Sequence, residues 1–156
     1  MIAMKALFFL AAFLFITTDP APLTKMDFEE FKSRIEEPSE NLRIYNFWAT
    51  WCKPCIKEMP YFESIVKSNE QSRLVFVSLD NDRRPERVTS FIEENEIKSP
   101  VWLLSEKEQK DWKQKLDEDW SGVIPATLFV AADGRTYFHK GQITEERLQA
   151  LIETYL

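Results

Sequence analysis

The cysteines constrain this chain most. Cys52 and Cys55 are the only two it has, and both sit in Phe47-Trp48-Ala49-Thr50-Trp51-Cys52-Lys53-Pro54-Cys55. An apolar, β-prone run (Leu42, Ile44, Tyr45, Phe47, Trp48) leads in, and a run with helical spacing leads out. The pattern predicts a dithiol at a strand-to-helix junction. A helix starting at Cys52 sets its thiol beside the unpaired N–H groups and positive dipole end of the first turn, where a thiolate is favoured. Pro54 lacks an N–H and fits that turn, and Lys53 adds a positive charge. This setting lowers the thiol pKa from its free value of roughly 8.5. The thiolate is the species that attacks disulfides. The reading is a reversible Cys-x-x-Cys redox centre, with Cys52 attacking and Cys55 resolving.

Other uses of two thiols fit less well. A purely structural disulfide across this spacing closes too small a loop to remove much entropy from the unfolded chain. A closed zinc site needs four ligands, and the chain has no third cysteine and a single histidine, His139. A two-thiolate Cu(I) site is the competing class. Cu(I) delivery would favour Met or His beside the thiols, and only Met59 is near, at core spacing.

With 156 residues, 44% hydrophobic, 13% aromatic and only 3 glycines, the chain reads as one globular domain rather than a disordered or low-complexity one. The net charge of −6 argues against nucleic acid and against anionic membrane surfaces as partners. Residues 1–18 stand apart. Lys5 precedes the uncharged run Ala6 to Ile16, which has the length of a signal-peptide core and is short for a membrane span. Thr17 to Pro22 offers no clean small-x-small cleavage site, so an uncleaved N-terminal membrane anchor stays open beside a cleaved signal peptide. The expected location is therefore extracytoplasmic, with the folded domain over 19–156. In such a compartment an even cysteine count is often a structural framework. Here both cysteines share one motif, and the compartment supplies disulfides as substrates.

Taken in order, Thr24 and Asp27 followed by Phe28, Phe31 and Ile35 predict a capped helix ending near Pro38. Leu42 to Ala49 reads as a central strand, and Cys52 to about Asn69 as a helix kinked at Pro60. Leu74 to Leu79 is a second buried strand, closed by a turn over Asp80 to Arg84. Pro85 opens a helix to about Asn95, Val101 to Leu104 is a short strand, and Glu106 to Glu118 is a mostly exposed helix anchored by Trp112 and Leu116. A strand after Pro125 turns at Ala132 to Arg135 into Thr136 to His139, and Thr144 caps a last helix. This alternation predicts an α/β fold, a central mixed sheet flanked by helices on both faces. His139 reads as an ordinary surface residue.

These residues resemble the thioredoxin-like family. The Cys52 segment matches the family's Trp-Cys-x-x-Cys motif, and Val123-Ile124-Pro125-Ala126-Thr127 matches its later segment around a cis-proline. Within the family the chain looks most like the exported TlpA/ResA-like thiol-disulfide oxidoreductases, through Lys57-Glu58-Met59-Pro60, Asp133-Gly134-Arg135 and Gly141.

The resemblance implies a thioredoxin-like fold with Cys52 as the exposed nucleophile and Cys55 as its buried partner. It implies that Pro125 is a cis-proline facing the dithiol, and that Ile124 pairs through its backbone with an extended substrate segment. Trp51, Lys53, Pro54, Ile124 and Pro125 would meet the substrate, with Trp51 and Trp48 lining the surface beside Cys52. No cofactor is implied beyond the redox-active Cys52–Cys55 disulfide. The partners would be a protein disulfide and a membrane thiol electron donor, and the chain is expected to be a monomer. Cytosolic thioredoxins carry a buried aspartate where this chain has Asn46, which removes one route for deprotonating Cys55. Strongly oxidising relatives carry a histidine between the cysteines. Its absence places the expected potential nearer about −270 mV than about −120 mV, on the reducing side.

Overall fold

A computed structural model of the chain describes residues 22–105 and 112–156. The expected leader at residues 1–18 and the beginning of the expected Glu106–Glu118 helix lie outside the described residues. The elements run β1 (Leu23–Met26), α1 (Phe28–Glu36), β2 (Leu42–Trp48), α2 (Lys53–Lys67), β3 (Ser72–Ser78) and α3 (Glu86–Glu94). Then follow β4 (Val101–Leu104), α4 (Trp112–Leu116), β5 (Ala126–Val130), β6 (Thr136–Lys140) and α5 (Glu145–Tyr155).

The strands form one sheet in the order β1-β4-β3-β2-β5-β6. β1, β4, β3 and β2 are parallel, β5 is antiparallel to β2, and β6 returns as a hairpin on β5. Parallel crossovers are right-handed, so the direction of travel across the sheet decides which face each helix covers. The chain moves β2 to β3 to β4 one way, which puts α2 and α3 on one face, and it moves β1 to β2 the other way, which puts α1 opposite. The two cores follow that division. Cys55, Met59, Phe62, Val88, Ile92 and Leu148 pack with Ile44, Trp48 and Phe76 on one face. Phe28, Phe31, Trp112 and Trp120 pack with Tyr45, Phe47 and Val77 on the other. β2 sits between them, and all but one of its residues are buried. Its side chains alternate between the faces, as strand geometry requires.

The structure corrects the sequence reading at the first element. Leu23–Met26, with Thr24 inside it, is a strand pairing with β4, and Asp27 alone caps α1 through its side chain, which accepts the Glu30 N–H at 2.8 Å. Thr24 therefore belongs to an edge strand rather than a helix cap. α2 runs on through Pro60 to Lys67 without a break. Thr144 caps α5 as expected, accepting the Arg147 N–H.

Candidate active site

Cys52 and Cys55 are joined in a disulfide with an S–S distance of 2.05 Å and a Cα separation of 5.3 Å. Cys52 is the N-cap of α2, and its Sγ receives the backbone N–H of Cys55 at 3.4 Å. Its own carbonyl starts the helix by accepting the Ile56 N–H at 3.1 Å. The first turn holds no acidic residue, and Lys53 stands in it. Cys55 is fully buried. Cys52, expected to be exposed, is only 5% exposed, because its sulfur turns inward to Cys55 and that residue's N–H. The open surface beside it belongs to Trp51, 68% exposed, and to the exposed Lys53 and Pro54. Trp48, expected beside Trp51 at the surface, is instead in the core with its ring centre 4.9 Å from that of Phe91. Strand alternation directs it under α2 and α3.

The loop between β2 and α2 is held from β3. Asp80 Oδ2 accepts the Thr50 N–H at 2.9 Å, and Asp80 Oδ1 accepts the Thr50 hydroxyl at 2.6 Å. Ser78 donates its hydroxyl to Oδ2 at 2.9 Å and accepts the Asp80 N–H at 3.1 Å. A nearly buried carboxylate thus fixes the residue two positions before Cys52. Sequence reasoning places Asp80 in a turn and misses this grip, which only the β2–β3 pairing reveals.

A second unforeseen group lies inside the α2 face. Glu58 is completely buried, and its carboxylate accepts from Asn46 Nδ2 at 2.8 Å and from the Ile143 N–H at 3.2 Å. Asn46 Nδ2 also donates to Thr127 Oγ1 at 3.1 Å. Burial pushes the Glu58 pKa up to about 7, against the pull of the Asn46 and Ile143 hydrogen bonds. The Tyr61 hydroxyl donates to the Ile143 carbonyl. Its pKa is pushed up to about 12, first by burial and then by the Glu58 charge, which keeps it a donor. Glu58 lies three residues after Cys55, so both belong to one buried stripe of α2. That spacing is the signal available in the sequence: Glu58 falls among Cys55, Met59 and Phe62.

The third component comes from the loop before β5. The Ile124–Pro125 peptide bond is cis. The register pairs Phe47 with Ala126, so one step further sets Pro125 beside Trp48, at the end of β2 that leads to the dithiol. Gly141 N–H donates to the Pro125 carbonyl at 2.9 Å, and Trp120 Nε1 donates to the Val123 carbonyl at 2.9 Å. Gly122 has φ of +92°, a left-handed conformation that favours glycine. Pro125 is buried, Ile124 is half-buried, and Val123 is 67% exposed. Cys52, Lys53, Pro54 and Cys55 thus stand at the start of α2 with Trp51 just before them, the register sets Pro125 at the same end of β2, Trp48 lies in the core, and Asp80 grips the intervening loop.

The Redoxin family model matches residues 18–151. The chain is similar to the thiol-disulfide oxidoreductase ResA of Bacillus cereus, with 28% identity over 129 residues, covering 81% of this chain and 70% of that protein. It is also similar to the sporulation thiol-disulfide oxidoreductase A of Bacillus subtilis (strain 168), with 37% identity over 115 residues, 70% of this chain and 66% of that one. Among solved structures, StoA from Bacillus subtilis superposes with a TM-score of 0.56 at 28% identity, covering 74% of this chain and 84% of StoA. A thioredoxin-related protein from Neisseria meningitidis serogroup B superposes with a TM-score of 0.64 at 24% identity, covering 77% of this chain and 88% of that one, and speaks for the fold. With a thioredoxin-like sheet and a close pair of cysteines at the start of α2, the chain belongs to the Redoxin family, among its thiol-disulfide oxidoreductases of the ResA type.

Proposed function

We propose that this protein is an exported reductant of protein disulfides, with Cys52 as the attacking thiol and Cys55 as the resolving one. The observation that carries the assignment is the N-cap position of Cys52, whose sulfur receives the Cys55 N–H at the positive end of α2. In the reduced protein the same donor would stabilise a Cys52 thiolate. That thiolate attacks one sulfur of the substrate disulfide, forming a mixed disulfide and releasing the first substrate thiolate. Cys55, once deprotonated, attacks Cys52 Sγ, releases the second substrate thiolate and leaves the Cys52–Cys55 disulfide. Two electrons pass to the substrate, and a membrane dithiol restores them by the reverse exchange.

Resolution needs a proton acceptor for the buried Cys55, and Asn46 cannot serve. Glu58, poised near neutrality on the same stripe of α2, supplies that role. Trp51, Lys53 and Pro54 would meet the substrate on one side of the thiol. Ile124 and Pro125 would meet it on the other, where the Ile124 N–H and carbonyl make no backbone hydrogen bond among the described residues. Residues 1–18 would direct export or anchor the chain; among the described residues no helix is long and apolar enough to cross a membrane. Met59, the soft donor near the thiols in sequence, is 2% exposed within the apolar core and lends the Cu(I) alternative no support.

Two measurements test the reading. A Cys55→Ser variant should accumulate a mixed disulfide through Cys52 with an extracytoplasmic protein. Equilibration with glutathione should give a potential below about −180 mV, and a value above it would make the protein a donor of disulfides.

A further inference from the structure

On the α1 face, at the end of β2 remote from the dithiol, three arginines converge. The parallel register sets Arg43 directly beside Arg73, so the two guanidinium side chains share one face of the sheet, an arrangement that like charges disfavour. Arg34 reaches the same place from the last turn of α1, its guanidinium carbon 5.3 Å from the ring centre of Trp102. Together with Tyr45 and Glu37 they line a cleft of about 300 Å³. Neutralisation is incomplete. Arg34 pairs with Glu30 at 2.8 Å, and among the described residues Glu37 is the only carboxylate lining the cleft. Among the described residues neither Arg43 nor Arg73 makes a salt bridge. Their hydrogen bonds end on neutral groups: Arg43 Nη1 on the Arg34 carbonyl at 3.1 Å and the Arg43 side chain also on the Tyr45 side chain, and Arg73 Nη1 on the Glu70 carbonyl at 2.6 Å and the Ser72 carbonyl at 2.8 Å. Such bonds leave the charges in place. Arg43 Nε is buried without a hydrogen-bond partner among the described residues, a cost that folded proteins seldom leave uncompensated.

We propose that this cleft binds a phosphate-type oxyanion, taken by Arg43, Arg73 and Arg34 from three sides with Tyr45 at its floor. A tetrahedral oxyanion presents acceptors in several directions at once, and guanidinium groups match it with paired, charge-assisted hydrogen bonds. Burial raises the Tyr45 pKa, so its phenol stays protonated and available to donate. The chain's net charge of −6 disfavours a flat anionic surface at long range, so the cleft selects a group small enough to enter. The source is either free phosphate or the phosphate of a lipid headgroup. The site is independent of the thiol chemistry, and its failure would leave the redox reading intact.

The test follows the Arg43 Nε–H resonance of ¹⁵N-labelled full-length protein during titration with inorganic phosphate, with chloride at matched ionic strength as the reference. A saturable shift is expected, weakened about tenfold or more by Arg73→Gln, while that variant keeps the wild-type rate of disulfide exchange. Arg43→Gln should abolish binding; if it fails to fold because the Arg34 carbonyl in the last turn of α1 loses its donor, Arg73→Gln still decides. In parallel, retention on phosphatidylglycerol vesicles is compared with phosphatidylcholine. Retention that Arg73→Gln removes, without a response to free phosphate, assigns a lipid headgroup as the source. Three results would overturn the proposal: no saturable response in either arm, a response that Arg73→Gln leaves unchanged, or a response to an acidic peptide alone.

Discussion

The two faces of the sheet are built on opposite rules. The α1 face is an aromatic cluster in which Phe31 meets Tyr45, Phe47 and Trp102 edge-on at ring distances of 5.6 to 6.2 Å, and Trp120 meets Phe47 and Phe138 at 5.0 Å. The α2 face gives up core positions to Asn46, Glu58 and Thr127, each completely buried. A hydrophobic trio there would cost less, because a buried carboxyl is expensive even when hydrogen-bonded. The buried carboxyl of Glu58 and its two neutral polar neighbours lie on the face that carries the cysteines. The lesson is that the thiol chemistry is confined to one side of β2, whose alternate residues face two differently built cores.

The largest test of that segregation is Phe31→Ala. Removing a fully buried ring should cost about 3–5 kcal/mol of stability, read by urea unfolding. The rate of disulfide exchange per folded molecule should stay unchanged; a matching loss of rate would dissolve the distinction between the faces. Glu58→Gln addresses the other face. Burial raises the folded-state pKa of Glu58 above its value of 4.5 in the unfolded chain, so the native state holds the proton more tightly. Stability from this group is full below about 4.5 and is lost as pH climbs through about 7, by on the order of 3 kcal/mol. The variant should flatten that slope in unfolding experiments across this range. A slope equal to the wild type's would mean that Glu58 is not the titrating group. Its absolute stability is a poorer guide, since glutamine sets an amide donor against either Asn46 or Ile143.

Smaller effects follow away from the cores. Asp80→Ala should cost about 1–3 kcal/mol by leaving the Thr50 and Ser78 donors without their acceptor, and it should slow exchange because the loop before Cys52 loosens. Asp80→Asn, which keeps one acceptor, should recover part of both. Full activity in Asp80→Ala would show that the loop needs no brace. Lys25→Ala at the edge strand should cost no more than about 1 kcal/mol. Its ammonium is half exposed at 3.1 Å from Asp82, which Ser105 also satisfies at 2.7 Å.

What is legible in the sequence follows the same division. β2, β3 and α2 are visible because long apolar runs and helical stripes carry a strong period, and the cap at Thr144 is local chemistry. β1 is not. Leu23–Met26 is four residues at an edge with a single buried side chain, so it shows no alternation, and Thr24 next to Asp27 imitates a helix start. Trp48 is hard to place because its neighbour Trp51 is exposed and the motif looks uniform in one dimension; strand alternation separates them. Asp80 reads only as part of a turn and Glu58 only as part of a family motif, because their partners, Thr50, Asn46 and Ile143, lie 30, 12 and 85 positions away. Such contacts exist only after the sheet has closed.

The account rests on Cys52 being the activated thiol, and that is measured most directly by the pH dependence of alkylation of each cysteine in the reduced protein. Cys52 should react far faster at neutral pH, with an apparent pKa well below the roughly 8.5 of a free thiol, while Cys55 stays protected. Equal rates, or faster reaction at Cys55, would contradict it.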